Sequence, residues 1–141
     1  MQLTRHTDYA FRVLIYLAAA PPEKLVTIQE ISDCFNISRN HVMKVVQTLV
    51  KSTFIDSVRG KNGGIKLTRT LESINVRAVI ECTEATLSPV NCNTPLCRMS
   101  QNCRLQGILF EAQEHYLQSV ERYSLADLVR SKPMETLLYL S

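Results

Sequence analysis

The chain has 141 residues, 45% of them hydrophobic and 21% charged, with a mean hydropathy of −0.03. Those values suit one globular domain with at most an added arm. They argue against a disordered or collagen-like chain, and no stretch is long and apolar enough to span a bilayer as a helix. Net charge is only +3, yet residues 1–70 hold ten Lys/Arg against five Asp/Glu, and residues 38–69 alone hold seven against one. Such a stretch offers a surface to a polyanion, or simply forms a solvated basic face.

The predicted first helix runs from about Thr7 to Ala20, where Pro21 and Pro22 stop it. Ala10, Val13, Leu14, Leu17 and Ala18 share one stripe of it. The run VLIYLAAA inside this helix has the look of a secretory-signal core. Its eight residues are at the short limit, however, and Asp8 sits where a basic leader belongs, so the chain reads as cytoplasmic. A second helix starts after Thr27, with Glu30 completing a capping box, turns Ile28 and Ile31 inward and ends near Cys34 and Phe35. Asn36 and Ile37 make a tight turn. Ser38 caps a third helix whose Val42, Val45, Val46 and Leu49 keep helical apolar spacing.

The period then changes. Phe54–Arg59 and Ile65–Thr68 are β-prone runs flanking Gly60-Lys61-Asn62-Gly63-Gly64, which reads as a hairpin with a flexible basic tip. A short helix follows Asn75, with Val76, Val79 and Ile80 apolar and an Arg77–Glu81 pair one turn apart. Residues 88–102 are loop-like. From Arg104 to about Tyr123 one long helix is predicted, with a main stripe of Leu105, Ile108, Leu109, Ala112, Tyr116, Val120 and Tyr123. Phe110 and Leu117 lie off that stripe, and a second apolar strip asks for a second partner, most simply another copy of the chain. A short helix near Leu125–Val129 and a weakly patterned tail finish the chain, and no internal repeat is present.

The expected fold is mostly α with a small β-hairpin. Residues 1–82 make a winged helix-turn-helix, 83–104 a cysteine loop, and 105–141 a dimerisation helix and tail. Burying the valine stripe leaves Arg39, Asn40, His41, Lys44, Gln47, Thr48 and Lys51 on the outer face of the third helix. These side chains reach base edges and phosphates in a major groove. Thr27 and Ser38, at the starts of the two helices of the motif, join the candidate DNA contacts. Arg59, Lys61 and Asn62 at the wing tip suit a minor groove.

Three of the five cysteines, Cys92, Cys97 and Cys103, are spaced C-x4-C-x5-C just before the long helix. In a reducing compartment such a group is more often a metal or redox site than a disulfide framework. Structural zinc sites use tighter pairs, and wide gaps on a loop suit a larger group such as an iron–sulfur cluster. Free thiols, or one disulfide with a spare, are the third reading, and spacing alone does not choose among the three. A cluster on three thiolates takes one further ligand, for which His6, Asp8, Glu84 and His115 are all candidates. Cys34 and Cys82, at helix ends among apolar neighbours, read as small core residues. No acid–base pair or cofactor loop accompanies the cysteines, which argues against an enzyme with a cysteine nucleophile.

The segments LTRHTDYAFRVLIYLA, ISRNHVMKVVQTL, VRGKNGGIKL and VNCNTPLCRMSQNCRL follow in order. Together they resemble the Rrf2 family of winged-helix regulators, most closely its nitric-oxide-sensing repressor branch. The resemblance spans nearly the whole chain, and the wing and the cysteine loop together make it specific. It implies a homodimer joined through the long C-terminal helices and bound to palindromic operator DNA. It also implies an iron–sulfur cluster, 2Fe-2S or 4Fe-4S, held by Cys92, Cys97 and Cys103, with Asp8 from helix one of the partner subunit as an oxygen ligand. Arg12, one turn after Asp8, would pair with it once the cluster is lost. Reaction with nitric oxide would then release the operator and derepress nitric oxide detoxification genes. A neighbouring branch that regulates iron–sulfur cluster assembly has C-x5-C-x5-C and a histidine three residues after the last cysteine. Here the first gap is four residues and that position is Gln106, and both departures favour the nitric oxide branch.

Overall fold

Helix α1, Arg5–Ala19, is the post around which the winged helix-turn-helix, the head of the structure, gathers in the computed structural model, which describes residues 2–130 and Leu138. It begins two residues before the predicted Thr7 because Thr4 supplies the cap, its hydroxyl accepting the Thr7 N–H. Ala10, Val13, Leu14 and Leu17 are buried along the expected stripe, joined by Thr7 and Tyr16. Helix α2, Ile28–Phe35, carries both halves of the Thr27–Glu30 capping box. It ends at Asn36, whose φ of 52° is a left-handed cap that asparagine tolerates. Helix α3, Arg39–Lys51, is capped by Ser38 and buries Val42, Val45, Val46 and Leu49 against α1 and α2.

Strands β1, Ile55–Val58, and β2, Gly64–Leu67, pair antiparallel with Ile55 opposite Leu67 and Val58 opposite Gly64. Strand β1 is shorter than its predicted run, because Phe54 is spent in the core and Arg59 belongs to the tip, and β2 starts one residue earlier than predicted at the same length. Val26 adds a third rung, exchanging N–H···O bonds of 3.0 and 2.8 Å with Ile65. Two glycines are imposed by close backbone approach: a Cβ at Gly63 would lie 2.1 Å from the Val58 carbonyl oxygen, and one at Gly64 2.7 Å from that of Val26.

A 3-10 turn, Leu71–Ser73, leads to α4, Val76–Thr83, which Asn75 caps as expected. After the loop of residues 84–103 come α5, Arg104–Glu121, and α6, Leu125–Val129. Helix α6 returns to the head: the Leu125 N–H donates to the Ile74 carbonyl at 2.8 Å, and the Leu125 side chain joins the core formed by α1 and α3. Helix α6, grouped with the C-terminal arm on sequence grounds, packs on α1 and on the 3-10 turn. The weakly patterned tail beyond it lies outside the described residues, apart from Leu138.

Helix α5 rests on α4, and its orientation corrects the predicted stripe in part. Leu109, Tyr116 and Val120 of the stripe are half-buried beside Leu117, which was placed off it and is the buried residue of α5, whereas Leu105, Ile108 and the off-stripe Phe110 are exposed. Periodicity shows which residues share a face, but not which of two apolar faces meets the same chain. Arg77 fastens the contact. Its Nε lies 2.8 Å from Glu81, the expected pair, and its Nη1 lies 3.2 Å from both Glu114 and Glu121 of α5. No helix of the described residues is long and apolar enough to cross a membrane.

Candidate functional site

The outer face of α3 presents Arg39, Asn40, Lys44, Gln47 and Lys51, all exposed. Two residues assigned to that face are instead held by α1. The His41 ring is half-buried with its edge against Tyr9, centroids 5.1 Å apart and planes at 90°. The Thr48 hydroxyl lies 3.0 Å from His6 Nε2. Met43 stands exposed in the middle of the polar strip, and a search for polar groups missed it. Its signal in the sequence was its place one turn from Arg39 and off the valine stripe. The hydroxyls of Thr27 and Ser38 are engaged as caps at exposed helix starts, accepting the N–H groups of Glu30 at 3.2 Å and His41 at 3.3 Å.

At the wing, Arg59, Lys61 and Asn62 are exposed, and Gly60 with φ 116° makes the turn that projects them. Arg69 braces the base. Its Nε donates to the Thr53 carbonyl at 3.1 Å and its guanidinium lies over the Phe54 ring at 4.8 Å.

On the cysteine loop Cys92, Cys97 and Cys103 are half-exposed, and none is in a disulfide. The Cys97 N–H donates to the Cys92 carbonyl at 2.9 Å, and Asn91 Oδ1 accepts from Asn93 and Thr94, so the first two cysteines sit on one tight turn. Cys103 is the N-cap residue of α5 but its side chain makes no capping bond. Among the described residues no three His, Cys, Asp or Glu side chains come together as a site for a single metal ion. Cys34 and Cys82 pack against the core as expected. Burial pushes both thiols up.

The first turns of α1 carry the remaining candidates. Arg12 forks onto Asp8, Nη2 to Oδ2 at 2.8 Å and Nε to Oδ1 at 3.3 Å, the pair expected from their spacing of one turn. The same guanidinium lies 5.6 Å from the Tyr9 ring centroid and 5.8 Å from that of Phe35. Asp8 does not join the cysteines of its own chain in a common ligand group.

Glu84 is taken up elsewhere. Its Oε1 accepts from the Thr4 N–H at 2.8 Å, the Thr4 hydroxyl at 3.0 Å and the Thr7 hydroxyl at 2.6 Å. The buried Thr83 hydroxyl in turn donates to Thr7 at 2.8 Å. Burial works to raise the Glu84 pKa, but the hydroxyls of Thr7 and Thr4, the Thr4 N–H and nearby His6 prevail and hold it below the usual carboxylate range. His115 lies in a shallow recess with Gln118, Ser119 and Arg122.

A family model described as Rrf2, iron-dependent transcriptional regulator, matches residues 3–131. The chain is 42% identical over 135 residues to the HTH-type transcriptional regulator NsrR of Halalkalibacterium halodurans, covering 94% of this chain and 92% of that one. It is 43% identical over 132 residues to the regulator of the same name from Shouchella clausii, covering 92% and 89%. Among solved structures it is similar to CymR, the global cysteine regulator of B. subtilis, with TM-score 0.68, 22% identity and coverage of 92% and 97%. It is also similar to T. potens IscR, with TM-score 0.71, 20% identity and coverage of 92% and 87%. These structural likenesses establish the fold alone. Taken with the sequence relatives, the chain belongs to the Rrf2 family of transcriptional regulators and is a DNA-binding regulator, not an enzyme.

Proposed function

We propose that the protein is a cytoplasmic nitric-oxide-sensing repressor that binds palindromic operator DNA as a homodimer with an iron–sulfur cluster. Loss of operator binding on exposure to nitric oxide would derepress genes for its detoxification. The observation that carries the reading is the set of three half-exposed thiols on one loop ahead of α5. They stand in a chain 42% identical to an NsrR along nearly its whole length.

The donor set fits the group. Three thiols with no disulfide and no place in the core are available, and Asp8 has an exposed partner, Arg12, that it can exchange. Cys92, Cys97 and Cys103 would hold the cluster, with Asp8 of the partner subunit as the oxygen ligand, and either 2Fe-2S or 4Fe-4S satisfies that set. When bound, the cluster supplies iron that nitric oxide attacks.

The rest of the work falls to α1. Asp8 cannot serve a ligand role and the Arg12 fork at once. The turns that carry it also carry Tyr9 against His41 and His6 against Thr48, both on α3. A shift in the first turns of α1 therefore reaches the DNA-facing helix through two direct contacts. Two such helices must enter major grooves about 34 Å apart, so a small change of angle lowers affinity. Exposed Leu96 and Met99 on the loop, with Leu105 and Ile108 on α5, supply apolar surface for the second copy.

Cys97→Ser tests this reading. The variant is expected to remain a folded dimer by light scattering while lacking visible absorbance and specific operator binding. Retention of both the cluster and tight binding would contradict the proposal.

A further inference from the structure

We infer that Met43 is a specificity-determining residue that recognises a thymine through its C5-methyl group in the major groove. The inference rests on the DNA-facing orientation of α3 described above and adds to it what the middle of that face reads. The strip of α3 turned away from the core consists of Arg39, Asn40, Met43, Lys44, Gln47 and Lys51. Five of these six can hydrogen-bond to base edges or phosphates, and Met43 alone cannot. It is nonetheless 41% exposed.

The buried face of α3 is its valine-lined one, and α1 adds contacts to His41 and Thr48 at its flank, none of which involves Met43. Most other large exposed apolar side chains lie on the cysteine loop and on α5, with Leu3 ahead of α1, Val58 in the wing and Tyr123 after α5; Met43 is the one on the recognition helix. The cations beside it and the seven-to-one excess of basic residues over 38–69 single out nucleic acid as the partner of this face.

Position and chemistry then narrow the contact. Arg39, Met43 and Gln47 follow one another at four-residue intervals, a strip about 12 Å long at the helical rise. That length matches between three and four base pairs at about 3.4 Å each. Met43 therefore lies over the middle of a half-site. The apolar group exposed on a base edge in the major groove is the thymine methyl, and it is what distinguishes that pair for a side chain with no donor or acceptor of consequence. An unbranched thioether adapts its three rotatable bonds to such a small apolar knob.

The test uses the full-length protein purified under nitrogen. It first selects duplexes from a random library, and each thymine of the selected sequence is then replaced by deoxyuridine, which lacks only the methyl. Wild type is expected to lose about fourfold in affinity at one thymine in the middle of each half-site, the worth of one methyl removed from water. Met43→Ala is expected to keep its thermal stability and bind the thymine and uracil duplexes alike, and Met43→Leu to keep the discrimination. Wild-type indifference to every uracil, or full discrimination by Met43→Ala, overturns the inference while leaving the DNA-binding face intact. Enrichment of no sequence at all overturns both.

Discussion

Replacing Thr7 by valine isolates the network that ties the start of α1 to the end of α4. Thr7 has no exposed surface; its hydroxyl donates to Glu84 Oε1 at 2.6 Å and accepts from Thr83 at 2.8 Å. Valine keeps the shape and the β-branch, so no cavity opens and helix propensity barely changes. What is lost is the hydrogen bond to the charged Glu84, a contact of about 1.5–3 kcal/mol, together with the neutral one accepted from Thr83, whose hydroxyl has an alternative acceptor. Glu84 retains both donors from Thr4, and Thr83 retains the Val79 carbonyl at 2.8 Å, so no buried group is orphaned. The loss therefore falls at the lower end, about 1.5–2 kcal/mol, or about 5–7 °C in Tm for a chain of this size. Urea and thermal unfolding of the cluster-free protein at one fixed concentration, followed by circular dichroism, measure it. A Thr7→Val protein as stable as wild type would refute the assignment of this network as the anchor of α1.

Acid sensitivity follows from the same carboxylate. Because the folded Glu84 pKa is depressed, its contribution is present above the unfolded value of about 4.3 and is lost as pH falls through the lower folded value. Glu84→Gln should flatten the acid limb of a stability–pH curve, leaving the shares of Glu30 and Asp127, which are also held low. Gly63→Ala would place a methyl 2.1 Å from the Val58 oxygen, so the wing must rebuild. Operator affinity is expected to fall by between about fivefold and about 150-fold, from strain of about 1–3 kcal/mol, with helical circular dichroism unchanged. Arg12→Ala removes an exposed fork worth at most about 1 kcal/mol, so stability should hold. Operator binding after nitric oxide exposure should nevertheless exceed that of wild type by up to about fivefold, read by anaerobic mobility shift.

Features that depend on residues close in the chain were legible beforehand. The Thr27–Glu30 capping box, the Ser38 cap, the valine stripe of α3, the glycine-rich wing and the Arg12–Asp8 fork all follow from spacings of a few residues. Features that depend on distant residues were not. Glu84 meets Thr4 and Thr7 across about eighty positions, and His6 meets Thr48 across 42. Val26 pairs with Ile65 across 39 positions. The orientation of α5 escaped for a different reason: with apolar residues on two faces, only the packing of Leu117 and the grip of Arg77 decide which face turns inward. Met43 escaped because exposure is a property of the packed helix and not of the residue type.

The most direct test of the central claim is an anaerobic ultraviolet–visible spectrum of the purified protein followed by titration with nitric oxide. The account predicts visible charge-transfer bands that bleach as nitric oxide is added, with operator binding lost in parallel. A coloured protein whose spectrum and operator binding ignore nitric oxide, or a colourless protein carrying stoichiometric zinc, would contradict it.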